Sequence, residues 1–198
     1  GMADEAGLDW EDLLFLNMTV EVTQGVQCAA LAVWGERAQD GKMLVGRNLD
    51  WKGGEALLGH DLIIVEQTEN GRIAGFGYPG MVGFPTAMNE HGVVGMNLTV
   101  ERPAGWPGLG TPALHLIRNA IEQGKNFLGA YGFVEGSQRM VPQNYLFADA
   151  NEALAGEMGP ESARYRGRDL PVVAITNYKD EQHGGGKDGR WETLVRST

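Results

Sequence analysis

Apolar and polar positions along the chain change their period several times, and each change marks an element. Asp9 precedes Trp10, Leu13, Leu14 and Leu16, with Glu11 and Asp12 in the first turn, which predicts a short N-capped helix with one apolar face. A polar stretch from Thr23 to Gln27 leads to Cys28, after which the pattern alternates. Strands are expected over Ala29 to Trp34 and Met43 to Leu49, joined at Asp40-Gly41, a dipeptide that favours a type I′ hairpin turn. A second hairpin pairs Leu62 to Glu66 with Ile73 to Tyr78 around Asn70-Gly71. A third joins Phe84 to Met88 with Val93 to Val100 through Asn89-Glu90-His91-Gly92. Thr111-Pro112 is a helix start, and Leu114, Ile117 and Ile121 share a face until Gly124. Glycines between Lys125 and Gly136 weaken a following helix. Tyr145 to Ala148, Ala153 to Glu157 and Val172 to Thr176 are expected as strands, and Lys179 to Thr198 as a polar, glycine-containing loop. Hairpins in series with few helices predict an α+β fold built on antiparallel sheet.

Composition narrows the classes. The 198 residues fit one domain, and 42% hydrophobic with 21% charged residues suits a globular chain with a real core. A formal charge of -10 repels nucleic-acid backbones and anionic lipid surfaces, so neither is an expected partner; a small neutral or cationic substrate fits better. No apolar run approaches the roughly 18–20 residues that span a bilayer, so no transmembrane segment is expected, and the compartment stays open. One cysteine excludes an internal disulfide and leaves a buried apolar thiol or a reactive one.

The position of Cys28 bears on that choice. A lone cysteine is ordinarily a small core residue, but this one lies between a polar segment and a strand, where a chain break would make it a new N-terminus. An α-amine titrates near about 7.7–8.0 and a thiol near about 8.5, so the freed amine could take the thiol proton without a histidine. His60, His91, His115 and His183 show no paired-ligand spacing, and no metal or other cofactor is expected. Gly46-Arg47-Asn48-Leu49-Asp50-Trp51 returns in the hairpin toward Cys28. Alternation puts Arg47 and Leu49 on one face, Asn48 and Asp50 on the other, unless a bulge re-aims Asp50. On these residues alone a solvent-facing Arg47 and a turn-forming Asp50 are the favoured reading. Asn97 and Asn177 follow or end apolar strands; each is either a turn former or an amide donor to an oxyanion.

Together these segments carry a resemblance. Cys28-Ala-Ala-Leu-Ala-Val-Trp-Gly, Gly46-Arg-Asn-Leu-Asp-Trp, Met88-Asn-Glu-His-Gly-Val-Val-Gly-Met-Asn97, Thr111-Pro-Ala-Leu-His-Leu, Asn144-Tyr-Leu-Phe-Ala-Asp149 and Ile175-Thr-Asn177-Tyr together resemble the N-terminal nucleophile hydrolases of the penicillin acyltransferase type, relatives of bile salt hydrolases and acid ceramidases. The resemblance implies an αββα sandwich of antiparallel sheets, with residues 1–27 a helical pro-segment and 28–198 the catalytic domain. It implies a self-processing hydrolase or acyltransferase acting on a small-molecule amide or acyl donor. Cys28 would be the nucleophile and its freed amine the base. Arg47 and Asp50 would hold the thiol and amine, while Asn97 and Asn177 would serve the oxyanion. Arg190 follows at a ceramidase-like spacing, with Arg196 as a rival. Gln27 and Ala29 depart from the Gly and Thr that many such proteins carry, which bears on the self-cleavage. These proteins are usually longer, which implies a fragment truncated at its C-terminal side, with open sheet edges and self-association as the expected result. The alternative is a non-catalytic ligand-binding or subunit-binding module with an inert, buried Cys28.

Two other patterns carry little. Gly75-Phe-Gly-Tyr-Pro-Gly80 has dinucleotide-site spacing, but Pro79 and the apolar residues after it oppose the required helix. Asn17-Met-Thr and Asn97-Leu-Thr are glycosylation sequons by letter only.

Overall fold

A computed structural model describes residues 1–22, 27–51, 56–100, 108–159, 163–167 and 171–177. Three short helices, α1 (Met2–Ala6), α2 (Trp10–Asn17) and α3 (Thr19–Val22), precede β1 (Gln27–Val33) and β2 (Leu44–Asp50). They are followed by β3 (Leu62–Thr68), β4 (Gly71–Gly77), β5 (Thr86–Asn89) and β6 (Val94–Thr99). After α4 (Ala113–Gln123) and α5 (Phe127–Gly136) come β7 (Gln143–Ala148), β8 (Ala153–Met158), β9 (Ala163–Arg166) and β10 (Val172–Thr176). Among the described residues every ladder between these strands is antiparallel. One sheet has seven strands in the order β3-β4-β5-β6-β7-β8-β9, and the other has three in the order β10-β1-β2.

Alternation along β6 and β7 explains the layering. Met96, Leu98, Leu146 and Ala148 face the small sheet and pack with Cys28, Ala30, Ala32, Val173 and Ile175. Tyr145 and Phe147, on the opposite face, pack with Leu116, Ile117 and Ile121 of α4 and with Phe127, Ala130, Tyr131 and Val134 of α5. The layers are therefore helices, large sheet and small sheet, three of the four in the expected sandwich. Among the described residues no helix covers the outer face of the small sheet, where Leu31 and Leu44 are 43% and 56% exposed. No helix of the described residues is long and apolar enough to cross a membrane.

Several local details differ from the sequence reading. The β1–β2 hairpin forms, but its strands stop at Val33 and restart at Leu44. Its connection closes through a 3-10 turn at Gly35–Arg37, with the Gly35 amide on the Gly41 carbonyl at 3.1 Å, rather than as a two-residue Asp-Gly turn. In the second hairpin Thr68 pairs with Gly71, so Glu69 and Asn70 make the turn. α5 forms despite its glycines. Asn126 caps it by accepting from the Gly129 amide at 2.8 Å, and Phe127, Ala130, Tyr131 and Val134 bury one face. Burial of that face outweighs the propensity cost of Gly129 and Gly132, which lie away from the core. β9 is an additional strand. The expected tail over 179–198, with Arg190, Arg196 and His183, lies outside the described residues, as do parts of the loops around 53–59 and 103–110.

The helix layer approaches the large sheet closely at Gly83, just before β5. A Cβ there would lie 2.6 Å from the Leu114 carbonyl carbon and 2.8 Å from the His115 nitrogen. Since both are backbone atoms of α4, Gly83→Ala is expected to cost about 1–3 kcal/mol by displacing the helix. At about 2–4 °C per kcal/mol for a chain of this size, thermal unfolding followed by circular dichroism should show the loss; an unchanged midpoint would contradict the packing described.

Candidate active site

The pleat of the β1–β2 hairpin decides which side chains meet. Cys28 lies opposite Leu49 and Ala30 opposite Arg47, so Cys28, Ala30, Arg47 and Leu49 share the face turned toward the large sheet. Cys28 is 5% exposed. One terminal nitrogen of Arg47 lies 2.9 Å from its sulfur. The other donates to the Pro85 carbonyl at 2.8 Å and to the Thr86 hydroxyl at 3.1 Å. The guanidinium thus spans the gap between the sheets, with its planar donors fixed by two acceptors at the start of β5.

Asn177 follows β10, whose Thr176 pairs with Ala29. Its side-chain oxygen accepts from the backbone amide of Cys28, and its nitrogen donates to the Thr99 carbonyl at the end of β6. Asn144 donates to the Thr176 carbonyl at 2.7 Å, tying β10 to the large sheet beside this contact. Burial pushes the Cys28 thiol above its ordinary pKa. The Arg47 charge, the Arg47 and Asn177 hydrogen bonds and the backbone of Thr99 oppose that shift without reversing it. Burial lowers the Arg47 pKa, and Cys28 works against that shift. With the chain intact through Gln27, the thiol is therefore held protonated beside a cation that would favour its thiolate.

Other predicted residues are placed differently. Asp50 lies opposite Gln27 on the outer face of the hairpin and accepts from Asn48 at 2.8 Å, while Asn48 accepts from the Ala29 amide at 2.8 Å. Asp50 is exposed, so the structure sets it beside the Gln27–Cys28 backbone and not against the sulfur. Asn97 is buried, but Met96 and Leu98 occupy the face toward Cys28. The Asn97 carboxamide is 3.5 Å from the Gln143 side-chain oxygen, on the face toward the helices. The structure thus brings together Cys28, Arg47 and Asn177, and leaves Asp50 and Asn97 on opposite faces of their strands; Arg190 is outside the described residues. Sequence reasoning did not identify Pro85, Thr86 and Thr99 as partners of this group. Pro85 within an apolar run could have marked the strand start, but nothing local shows that Arg47 reaches it. Among the described residues no group of three or more His, Cys, Asp and Glu could hold a metal ion.

Comparison with solved structures places this arrangement in a fold class. The Caenorhabditis elegans ortholog of N-acylethanolamine-hydrolyzing acid amidase superposes with a TM-score of 0.67 at 14% identity, covering 86% of this chain and 78% of that one. A mutant conjugated bile acid hydrolase from Clostridium perfringens gives 0.55 at 14% identity, covering 86% and 57%. Penicillin V acylase from Agrobacterium tumefaciens gives 0.52 at 17% identity, covering 79% and 55%. The fold is that of the N-terminal nucleophile hydrolases.

Residues 37–184 match the model of the acyl-coenzyme A:6-aminopenicillanic acid acyl-transferase family, and the chain belongs to that family. The matched stretch contains Arg47, Asp50, Asn97 and Asn177 and begins after Cys28. An uncharacterized protein of Archaeoglobus fulgidus is 27% identical over 173 residues, covering 75% of this chain and 29% of that protein. Protein dcd1B of Dictyostelium discoideum is 20% identical over 156 residues, covering 77% and 31%. The chain thus spans under a third of the length of these curated relatives.

The raised thiol pKa gives the fold a signed pH dependence. Below the ordinary thiol range of about 8.5, folded and unfolded chains both hold the proton, and its stabilising contribution is complete. As pH rises the unfolded chain ionises first, so stability falls until the folded thiol also ionises. In protein still intact ahead of Cys28, alkaline denaturation should therefore cost the native chain more than a Cys28→Ala variant, measured by urea unfolding at stepped pH. A difference constant across that range would contradict the burial of a neutral thiol.

Proposed function

We propose that this chain is the catalytic part of a cysteine-nucleophile amide hydrolase or acyltransferase that cuts itself between Gln27 and Cys28. The contact of Arg47 with the Cys28 sulfur, with Asn177 on the Cys28 amide, carries this reading. In the first reaction the thiol of Cys28 attacks the Gln27 carbonyl carbon. Its proton passes to the departing nitrogen, and a Gln27 thioester replaces the peptide bond. Water then hydrolyses the thioester, freeing the thiol and an α-amine at position 28.

That amine is the same backbone nitrogen that Asn177 accepts from in the intact chain, and Asp50 lies across the hairpin from the residue that is released. In the second reaction the amine takes the thiol proton and the thiolate attacks a substrate amide. The resulting ammonium returns the proton to the leaving amine, and the acyl-enzyme is resolved by water or by an acceptor amine. Arg47 lowers the cost of the thiolate. The Asn177 carboxamide is the donor at hand for the oxyanion; Asn97, carried from the family pattern, would need to expose its backbone or side chain to serve there. The substrate is a small-molecule amide or acyl donor, in keeping with the amidase, bile acid hydrolase and penicillin acylase among the structural neighbours. Residues 1–27 are then the pro-segment. A homo-oligomer belongs to the same reading, and nucleic acid and membrane do not.

Intact mass and N-terminal sequencing should find a break between Gln27 and Cys28 that a Cys28→Ala variant lacks; a wild-type chain that stays whole removes the proposed base. In processed protein, Asn177→Ala is expected to lower kcat by about 100- to 1000-fold, the scale of one oxyanion donor. Turnover of an amide panel unaffected by that change would exclude Asn177 from the role.

A further inference from the structure

We infer that Asn17, in the helical segment ahead of Cys28, is a positioning residue for Arg47, an inference that rests on Arg47 being the partner of a reacting Cys28. Asn17 is the last residue of α2 and is buried, 4% exposed. Its nitrogen donates to the Gly80 carbonyl at 2.9 Å and to Leu13 in its own helix at 2.9 Å, and its oxygen accepts from the Val82 amide at 2.6 Å. The same oxygen also accepts from the Gly83 amide at 3.4 Å, so one side chain meets three backbone groups in the connection between β4 and β5.

The far end of that connection is the seat of Arg47. Pro85 and Thr86 supply the acceptors that aim the guanidinium at the sulfur, three and four residues beyond Val82. Between them, the Phe84 amide donates to the Leu114 carbonyl at 3.1 Å in the first turn of α4. The start of α4 is itself held from the same N-terminal segment, because buried Glu21 of α3 accepts from the Ala113 amide at 2.6 Å. Leu13 and Leu16 fill the space at Gly80, whose φ of 86° suits glycine, lying 3.2 and 2.8 Å from where a Cβ would be.

The connection is thus clamped at Gly80 and Val82 by Asn17 and at Phe84 by α4. Loss of the Asn17 amide leaves these three backbone groups to seek other partners. A shift and tilt of Pro85 and Thr86 turns the Arg47 donors away from their acceptors and from the sulfur, since hydrogen bonds weaken steeply as the donor angle falls. The segment before the cysteine therefore acts on the thiol through Arg47 without touching it.

The test is the pH dependence of Cys28 alkylation by iodoacetamide in the full folded chain. Asn17→Ala should move the profile up by about one pH unit and slow alkylation at neutral pH about tenfold, the change in thiolate fraction for one unit of pKa. Asn17→Asp keeps the acceptor for Val82 and should fall in between. Two controls should retain the native profile: Trp10→Ala on the exposed side of the same helix, and Val134→Ala, which loosens the core under α5 and lowers only the thermal midpoint. Asn17→Ala alkylated at the native rate, or Val134→Ala slowed as much, overturns the inference. Should Asn17→Ala not fold, a native profile in Asn17→Asp overturns it equally. An uncut wild-type chain would count against the proposed function and leave this assay intact, so the two failures are distinguishable.

Discussion

The contact between the Arg47 guanidinium and the Cys28 sulfur is the constraint around which the rest of this structure is arranged. A guanidinium between two sheets has lost most of its water, and that loss is costly unless its donors are met. Two are met by Pro85 and Thr86 on the large sheet and one by the thiol on the small sheet. The same residue therefore joins the layers and sets the electrostatics of the sulfur. Burial and charge oppose one another at Cys28, with burial ahead while the chain is continuous. A bond break at Gln27–Cys28 would open the strand end and add an amine, changing both quantities at the sulfur.

Much of the fold serves to hold that contact in register. The small sheet is narrow, and alanines at positions 30 and 32 let it approach Met96, Leu98 and Leu146 closely. Asn177 ties the end of β10 to the Cys28 amide and the Thr99 carbonyl, and Asn144 of β7 donates to the Thr176 carbonyl of β10. The helix layer works from the other side: Leu114 packs at Gly83 and holds Phe84, next to the two residues that seat Arg47. At Phe84 the hold is backbone to backbone, with no flexible side chain between the helix and the strand start.

A strand such as β1 was readable because one of its faces is buried and the other exposed, and the period of two carries that fact into the letters. The same alternation set Arg47 with Leu49 and away from Asp50, and the structure has Asp50 on the outer face. What stayed hidden required distance in sequence. Thr86 and Pro85 become partners of Arg47 only when two sheets pack, and Asn17 looked like a sequon and not a buried amide clamping Gly80 and Val82. α5 was obscured because propensity counts every glycine alike, whereas burial of Phe127, Ala130, Tyr131 and Val134 weighs only the face that packs. Asn97 shows the opposite limit: its place in a motif was legible, but the face its side chain takes followed from the pairing of β6 with β7.

The measurement that tests the central claim most directly is a spectroscopic titration of the Cys28 thiolate by its ultraviolet absorbance, in the native chain and in Arg47→Met, with Cys28→Ala as the blank. Methionine keeps the stem and removes the charge, so the account predicts a thiol that ionises at distinctly higher pH, by about one unit or more, in a chain that still unfolds cooperatively. Identical titration curves for the two proteins would mean that the guanidinium does not govern the sulfur, and the site as described would be contradicted.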